Sequence, residues 1–212
     1  MFEINFLSSL EEGYGQYLEV GSRSNKKIIP IHKCIAEHIN PLLDIRSLGI
    51  GDSKEYCFQG SFMKKNMDVS VLKNDIFDTG ISFKFVTGNY AQNSNNYFEN
   101  MIGECVNVKR CNVKFGHIMV VMNKTPYRNK DNEITKIEYI KEHQLNKYRR
   151  LMNSTNSFDI PDALAIVIID ISDDFHVSYT DINSLPFSNG MKESLTNELS
   201  LRNFKEVFMD LI

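Results

Sequence analysis

The sequence predicts an α/β domain in which helices flank a central mixed β-sheet. Three observations carry that expectation. The runs Gly116–Met122 and Ala163–Ile171 are nearly continuous in apolar residues, as strands covered on both faces are. The runs Met67–Leu72 and Gly80–Val86 alternate polar and apolar residues at period two, as half-buried strands do. The stretches around them carry apolar residues at helical spacing.

The elements follow in order. Residues 3–20 mix apolar and acidic side chains and predict a helix interrupted near Gly13 and Gly15. Residues 28–43 predict a second helix with Pro30 in its first turn and a stripe of Ile31, Ile35, Ile39 and Leu42. Gly49–Ser53 reads as a turn and Glu55–Phe62 as a strand. The two alternating runs are joined by Lys73–Thr79, where Asn74, Asp75, Asp78 and Thr79 favour a hairpin turn. The polar segment Thr87–Asn96 leads into a helix over Ala91–Val106, with Tyr97, Met101 and Cys105 four apart. After the strand at 116–122, Asn123–Asn132 reads as a loop and Ile134–Met152 as a helix with a charged face. The strand Ala163–Ile171 runs into Asp170 and Asp173-Asp174, and a closing helix is expected at about 191–211. No repeat or linker divides the chain. The expectation is one domain over 1–212 with a helical N-terminal part at about 1–48.

The bulk numbers set limits. With 212 residues, 42% hydrophobic and 24% charged, the chain is long enough for a real core and ordinary in composition. No apolar run reaches bilayer length, and the N-terminus lacks the marks of a secretory signal, so no membrane partner is expected. The four cysteines, Cys34, Cys57, Cys105 and Cys111, have no C-x-x-C or zinc-type spacing, which points to reduced thiols in a cytoplasmic protein. A net charge of −3 neither advertises nor excludes nucleic acid. Local basic clusters occur at Lys64-Lys65, at Lys109, Arg110 and Lys114, at Lys124–Lys130 and at Lys141–Arg150.

The chemistry concentrates on Asp68 and, sixteen residues later, Lys84, one in each alternating strand. Parity does not decide whether they share a face; the pairing register does. On one face, a carboxylate and an ammonium meet at one end of a sheet. Phosphodiester hydrolysis needs carboxylates to hold a divalent cation and a nearby positive charge beside the attacking water.

Asp68, then a strand carrying Lys84, then a helix, resembles the PD-(D/E)XK nuclease superfamily. The segment from Ile81–Val86 through Asn89-Tyr90-Ala91-Gln92-Asn93 to Asn96–Glu104 is similar to type II restriction endonucleases, with the resemblance covering about residues 54–110. It implies a restriction-endonuclease-like fold, Mg2+ as cofactor, double-stranded DNA as substrate and a homodimer matching a palindromic site. Asp68 would hold the metal, and Lys84 would orient or deprotonate the attacking water. Two positions depart from the pattern. Met67 replaces the proline, and Ser82 stands where an acidic residue is expected. Some enzymes of this type carry Ser there and draw the carboxylate from the following helix. Glu99 is the first candidate for that ligand by spacing and Glu104 the fallback; five residues apart, they point about 140° from one another. Glu37 on the second helix is an optional further acid, and His32 and His38 read as packing or surface residues. Asn89, Gln92 and Asn93 are candidates to read bases, with a bias toward adenine. Lys124, Arg128 and Lys130 are candidates for phosphate contacts. Two other readings stay open: a DNA-binding or accessory subunit with a degenerate motif, favoured by Ser82, and a repair or RNA nuclease of the same superfamily.

Overall fold

A computed structural model describes residues 2–21, 24–39, 43–52, 54–131, 133–155 and 159–212. It shows a six-stranded mixed sheet with helices on both faces. The strands in spatial order are β1 (Asp44–Ser47), β4 (Val69–Lys73), β5 (Ile76–Val86), β6 (Lys114–Met122), β9 (Ala163–Ile171) and β10 (Val177–Tyr179). β1, β4 and β5 pair antiparallel, β5, β6 and β9 run parallel, and β10 returns antiparallel. β1 lies inside the stretch expected to be helical.

Parallel neighbours require crossovers. Helix α3 (Tyr90–Lys109) joins β5 to β6. The ribbon of β7 (Lys124–Arg128) and β8 (Ile134–Tyr139), followed by α4 (Glu142–Met152), joins β6 to β9. One face of the sheet packs Val69, Ile81, Phe83, Ile118 and Ala165 against α1 (Phe2–Val20), α2 (Ile29–Glu37) and α6 (Leu201–Leu211). The opposite face packs Val86, Met119, Val121, Leu164 and Ile166 against α3, α4 and α5 (Asn189–Thr196). β6 is buried along almost its whole length and β9 along most of it, which explains their unbroken apolar sequences.

Several expectations need correction. α1 is continuous through Gly13 and Gly15. Gly13 is there for packing: a Cβ would strike the Lys27 carbonyl oxygen and the Ile31 side chain, where α1 crosses under the chain leading into α2. α2 ends at Glu37, and Leu42 of its expected stripe lies outside the described residues. The expected loop at 123–132 holds β7, and the expected helix at 134–152 is β8 followed by α4. Ile134 and Ile137, three apart, fit a helical face, but the segment is rich in β-branched residues and pairing with β7 decides for strand. The closing helix is two, separated near Asn197–Ser200, where Ser200 caps the second by accepting from Asn203 N.

A second ribbon matters for the site. β2 (Tyr56–Gln59) pairs with β3 (Lys64–Met67), and Asn107 of α3 clamps its loop. The buried Asn107 amide accepts from Phe62 N (2.8 Å) and Met63 N (3.1 Å) and donates to Met63 O (3.1 Å). A Cβ on Gly60 would run into that amide. Asn107→Ala should cost about 2 kcal/mol for the three bonds lost, a fall of roughly 4–8 °C in melting temperature. Thermal unfolding followed by circular dichroism checks this; an unchanged midpoint would show that the clamp contributes nothing.

Candidate active site

Met67–Leu72 is not one strand. Met67 closes the β2–β3 ribbon opposite Tyr56, and Val69 opens β4 opposite both Ser47 and Ile81. Asp68 is the bend between them, where the chain passes from one sheet to the other. Two bonds fix it there. Its carbonyl accepts from Ser47 Oγ (2.7 Å), and its Oδ2 accepts from Phe83 N (2.6 Å). Burial pushes the Asp68 carboxyl up to about 6, against the pull of the Phe83 bond and of Lys65 and Lys84.

Ser82 and Lys84 project from β5 on the face opposite Ile81 and Phe83. Ser82 Oγ donates to Glu104 Oε2 (2.7 Å), and Lys65 Nζ sits 2.6 Å from Glu104 Oε1. Burial opposes ionisation of Glu104, yet Lys65 and Ser82 together hold its carboxyl below the usual range. Lys84 is exposed, its ammonium 5.5 Å from the centre of the Tyr97 ring. Ser82, Lys84, Glu104 and His117 line one cavity of about 60 Å³ beneath α3, room for a few waters. His117 stands beside Ser82 in the β5–β6 register; burial drives its imidazole down to about 4.

The sequence candidates therefore divide. Lys84 and Glu104 line the same cavity, and Asp68 feels the charges of both. Glu99 does not join them: it is exposed on α3, and its charge is felt by Lys147. Glu37 is exposed and pairs with Lys33 (3.8 Å). Asn89 caps α3 in a left-handed conformation (φ 54°), and Asn93 Nδ2 donates to its carbonyl (3.1 Å). Gln92 is exposed one turn along. Lys124 and Lys130 are exposed on the β7–β8 ribbon, and Arg128 ends β7. Of the other basic clusters, Lys109 is tied to Asp162 (2.7 Å) and Lys114 lies 3.8 Å from Asp78.

Three further residues meet here: Glu55 was not singled out in the sequence, Lys65 reads there only as one of a basic pair, and His32 only as a packing or surface residue. Lys65 bridges the β2–β3 ribbon to Glu104. His32 of α2 and Glu55, just before β2, come together with Asp68: one ligand atom from each, all within 4.8 Å of one another. His32 is fully buried and its ring nitrogens have no hydrogen-bond partner among the described residues. Burial lowers its imidazole to about 4 and raises the Glu55 carboxyl.

The donor set suits magnesium. Mg2+ takes oxygen ligands, keeps several waters and needs only one or two carboxylates; Asp68 and Glu104 are two such carboxylates, and Glu104 lines a cavity that admits water. No protein-family model, curated protein sequence or solved structure matches this chain. Among the described residues no helix is long and apolar enough to cross a membrane.

Proposed function

We propose that the protein is a Mg2+-dependent type II restriction endonuclease of the PD-(D/E)XK kind, cutting double-stranded DNA as a cytoplasmic homodimer. The observation that carries this reading is the bond from Ser82 to Glu104. At the strand position where the motif calls for an acid, a serine instead holds a helix-borne carboxylate in front of the same strand, two residues from Lys84. The order of antiparallel β1, β4 and β5, a crossover helix and parallel β6 gives the reading a scaffold in keeping with it.

Asp68 and Glu104 would hold the metal, which supplies Lewis acidity toward a phosphate oxygen and a more acidic bound water. Lys84 adjoins the cavity and can orient a water and offset charge building on the phosphate. Asp68 is kept in place by Ser47 and Phe83, so its carboxylate is set before substrate arrives. Asn89, Gln92 and Asn93 lie at the exposed start of α3, and Lys124, Arg128 and Lys130 on the β7–β8 ribbon; these are the proposed base and phosphate contacts. The bond from Lys65 to Glu104 favours the alternative reading, a DNA-binding subunit that does not cut, because an internal ammonium already neutralises that carboxylate.

Incubation with plasmid DNA and Mg2+ separates the two. Discrete fragments, abolished by EDTA, are expected. Intact plasmid with a gel shift would instead establish the binding subunit, and uniform degradation a nuclease without site specificity.

A further inference from the structure

Asp68 has a second set of neighbours that the nuclease reading does not use. The His32 ring lies fully buried on α2, edge-on to Phe83 (5.8 Å between centroids), with neither nitrogen hydrogen-bonded among the described residues. Leaving such groups unpaired costs about 1–3 kcal/mol each. Glu55 and Asp68 bring two like charges to that ring, one ligand atom of each within 4.8 Å of a ring nitrogen and of one another. Lys65, whose charge reaches both, is bonded to Glu104. A single divalent cation would satisfy an imidazole lone pair and two carboxylates at once.

We propose that His32, Glu55 and Asp68 form a second cation site, sharing Asp68 with the Asp68–Glu104 pair, and that it takes Mn2+ in preference to Mg2+. Metal–donor bonds of about 2.0–2.2 Å place ligand atoms roughly 3–4 Å apart. Donors already within 4.8 Å reach that spacing by small side-chain rotations. His32 forms the floor of the site, and half-buried Glu55 and Asp68 form the side open to an entering ion. The mixed donor set selects the metal. Mg2+ and Ca2+ favour oxygen alone, whereas an imidazole suits transition ions and two carboxylates suit Mn2+ among them. The site stands on these three donors whether or not the protein cuts DNA.

The test is a Mn2+ titration of the metal-stripped full chain without DNA. Electron paramagnetic resonance reads free Mn2+, and electron spin-echo modulation reads directly bound 14N. Wild type should bind Mn2+ with a nitrogen coupling. His32→Gln should abolish the coupling, and Glu55→Gln should weaken this site by at least 10–100-fold, the loss that even an outer-shell change produces. Glu104→Gln should leave the nitrogen-coupled site intact. Absence of nitrogen coupling in wild type, or wild-type affinity in a folded Glu55→Gln protein, overturns the proposal; the second holds even if His32→Gln does not fold. Nitrogen-coupled Mn2+ in a protein that leaves plasmid uncut supports this site and removes the nuclease reading, whereas cleavage without nitrogen coupling does the reverse.

Discussion

Lys84→Ala should lower the single-turnover rate of Mg2+-dependent DNA cleavage by about 10²–10³-fold, the usual cost of removing one preorganised group that meets developing charge. The fold should not register the change. Lys84 is exposed, and its ring contact is a 5.5 Å approach to Tyr97, so stability should shift by no more than about 0.5 kcal/mol. DNA affinity should fall little, because one ammonium among several contributes at most about one unit to the salt slope. The neighbouring glutamates make the comparison sharper. Glu104→Gln should lose activity on the same scale, since its carboxylate stands against Ser82 in the same cavity as Lys84. Glu99→Gln should cut at the wild-type rate. Rapid-quench assays at saturating DNA and Mg2+ measure all three. A Lys84→Ala protein that cuts within about threefold of wild type would remove Lys84 from the chemistry.

The contrast between the two glutamates shows what a sequence does and does not disclose. Five residues apart on one helix, they cannot face the same way, and the rotation of α3 decides between them. That rotation is set by Met101, Cys105 and Val108, all buried under the strands. Glu104 lies three residues after Met101 and four before Val108, on the same stripe; Glu99 lies off it. The signal was present in the apolar spacing, but counting from Lys84 alone points to the nearer residue. The alternation around Asp68 and Lys84 pointed to half-buried strands, whereas Val69–Leu72 and Gly80–Val86 are buried on both faces apart from Lys84, with Ser70 and Ser82 inside; only their strand character was legible. The break at Asp68 was not, because a bend between two sheets depends on which partners Met67 and Val69 find. Lys65 showed only as one of two adjacent lysines, His32 only as a packing or surface residue, and Glu55 gave no local sign. They come from a ribbon strand, a helix and the approach to another strand, and only the packing of α2 and the ribbon around Asp68 makes them neighbours.

Acid should destabilise the metal-free protein through its two buried histidines. His32 and His117 are each driven down to about 4 by burial, well below the ordinary histidine value. A base held below its unfolded value stabilises the fold above about pH 6.5, and that stability drains as pH falls toward 4, because the unfolded chain binds the protons first. At about 1.4 kcal/mol for each pH unit between the folded and unfolded values, each histidine accounts for roughly 3 kcal/mol. Asp68, raised to about 6, works in the other direction. Its contribution is complete below about pH 4 and lost as pH rises through 6, so it returns up to roughly 3 kcal/mol on acidification. The histidines act as a pair against one carboxyl, and between pH 7 and pH 4 these three groups together should cost about 3 kcal/mol. His117→Leu isolates one member. Urea unfolding in EDTA should show the variant gaining about 2–3 kcal/mol on wild type as pH is lowered from 7 to 4. Asp68→Asn should do the opposite, more stable than wild type at pH 7.5 and losing that advantage in acid, since an amide oxygen can still accept from Phe83 N while the buried charge is gone. Wild-type and His117→Leu stabilities that run parallel across that pH range would mean that the imidazole takes up its proton in the folded protein as readily as in the unfolded chain.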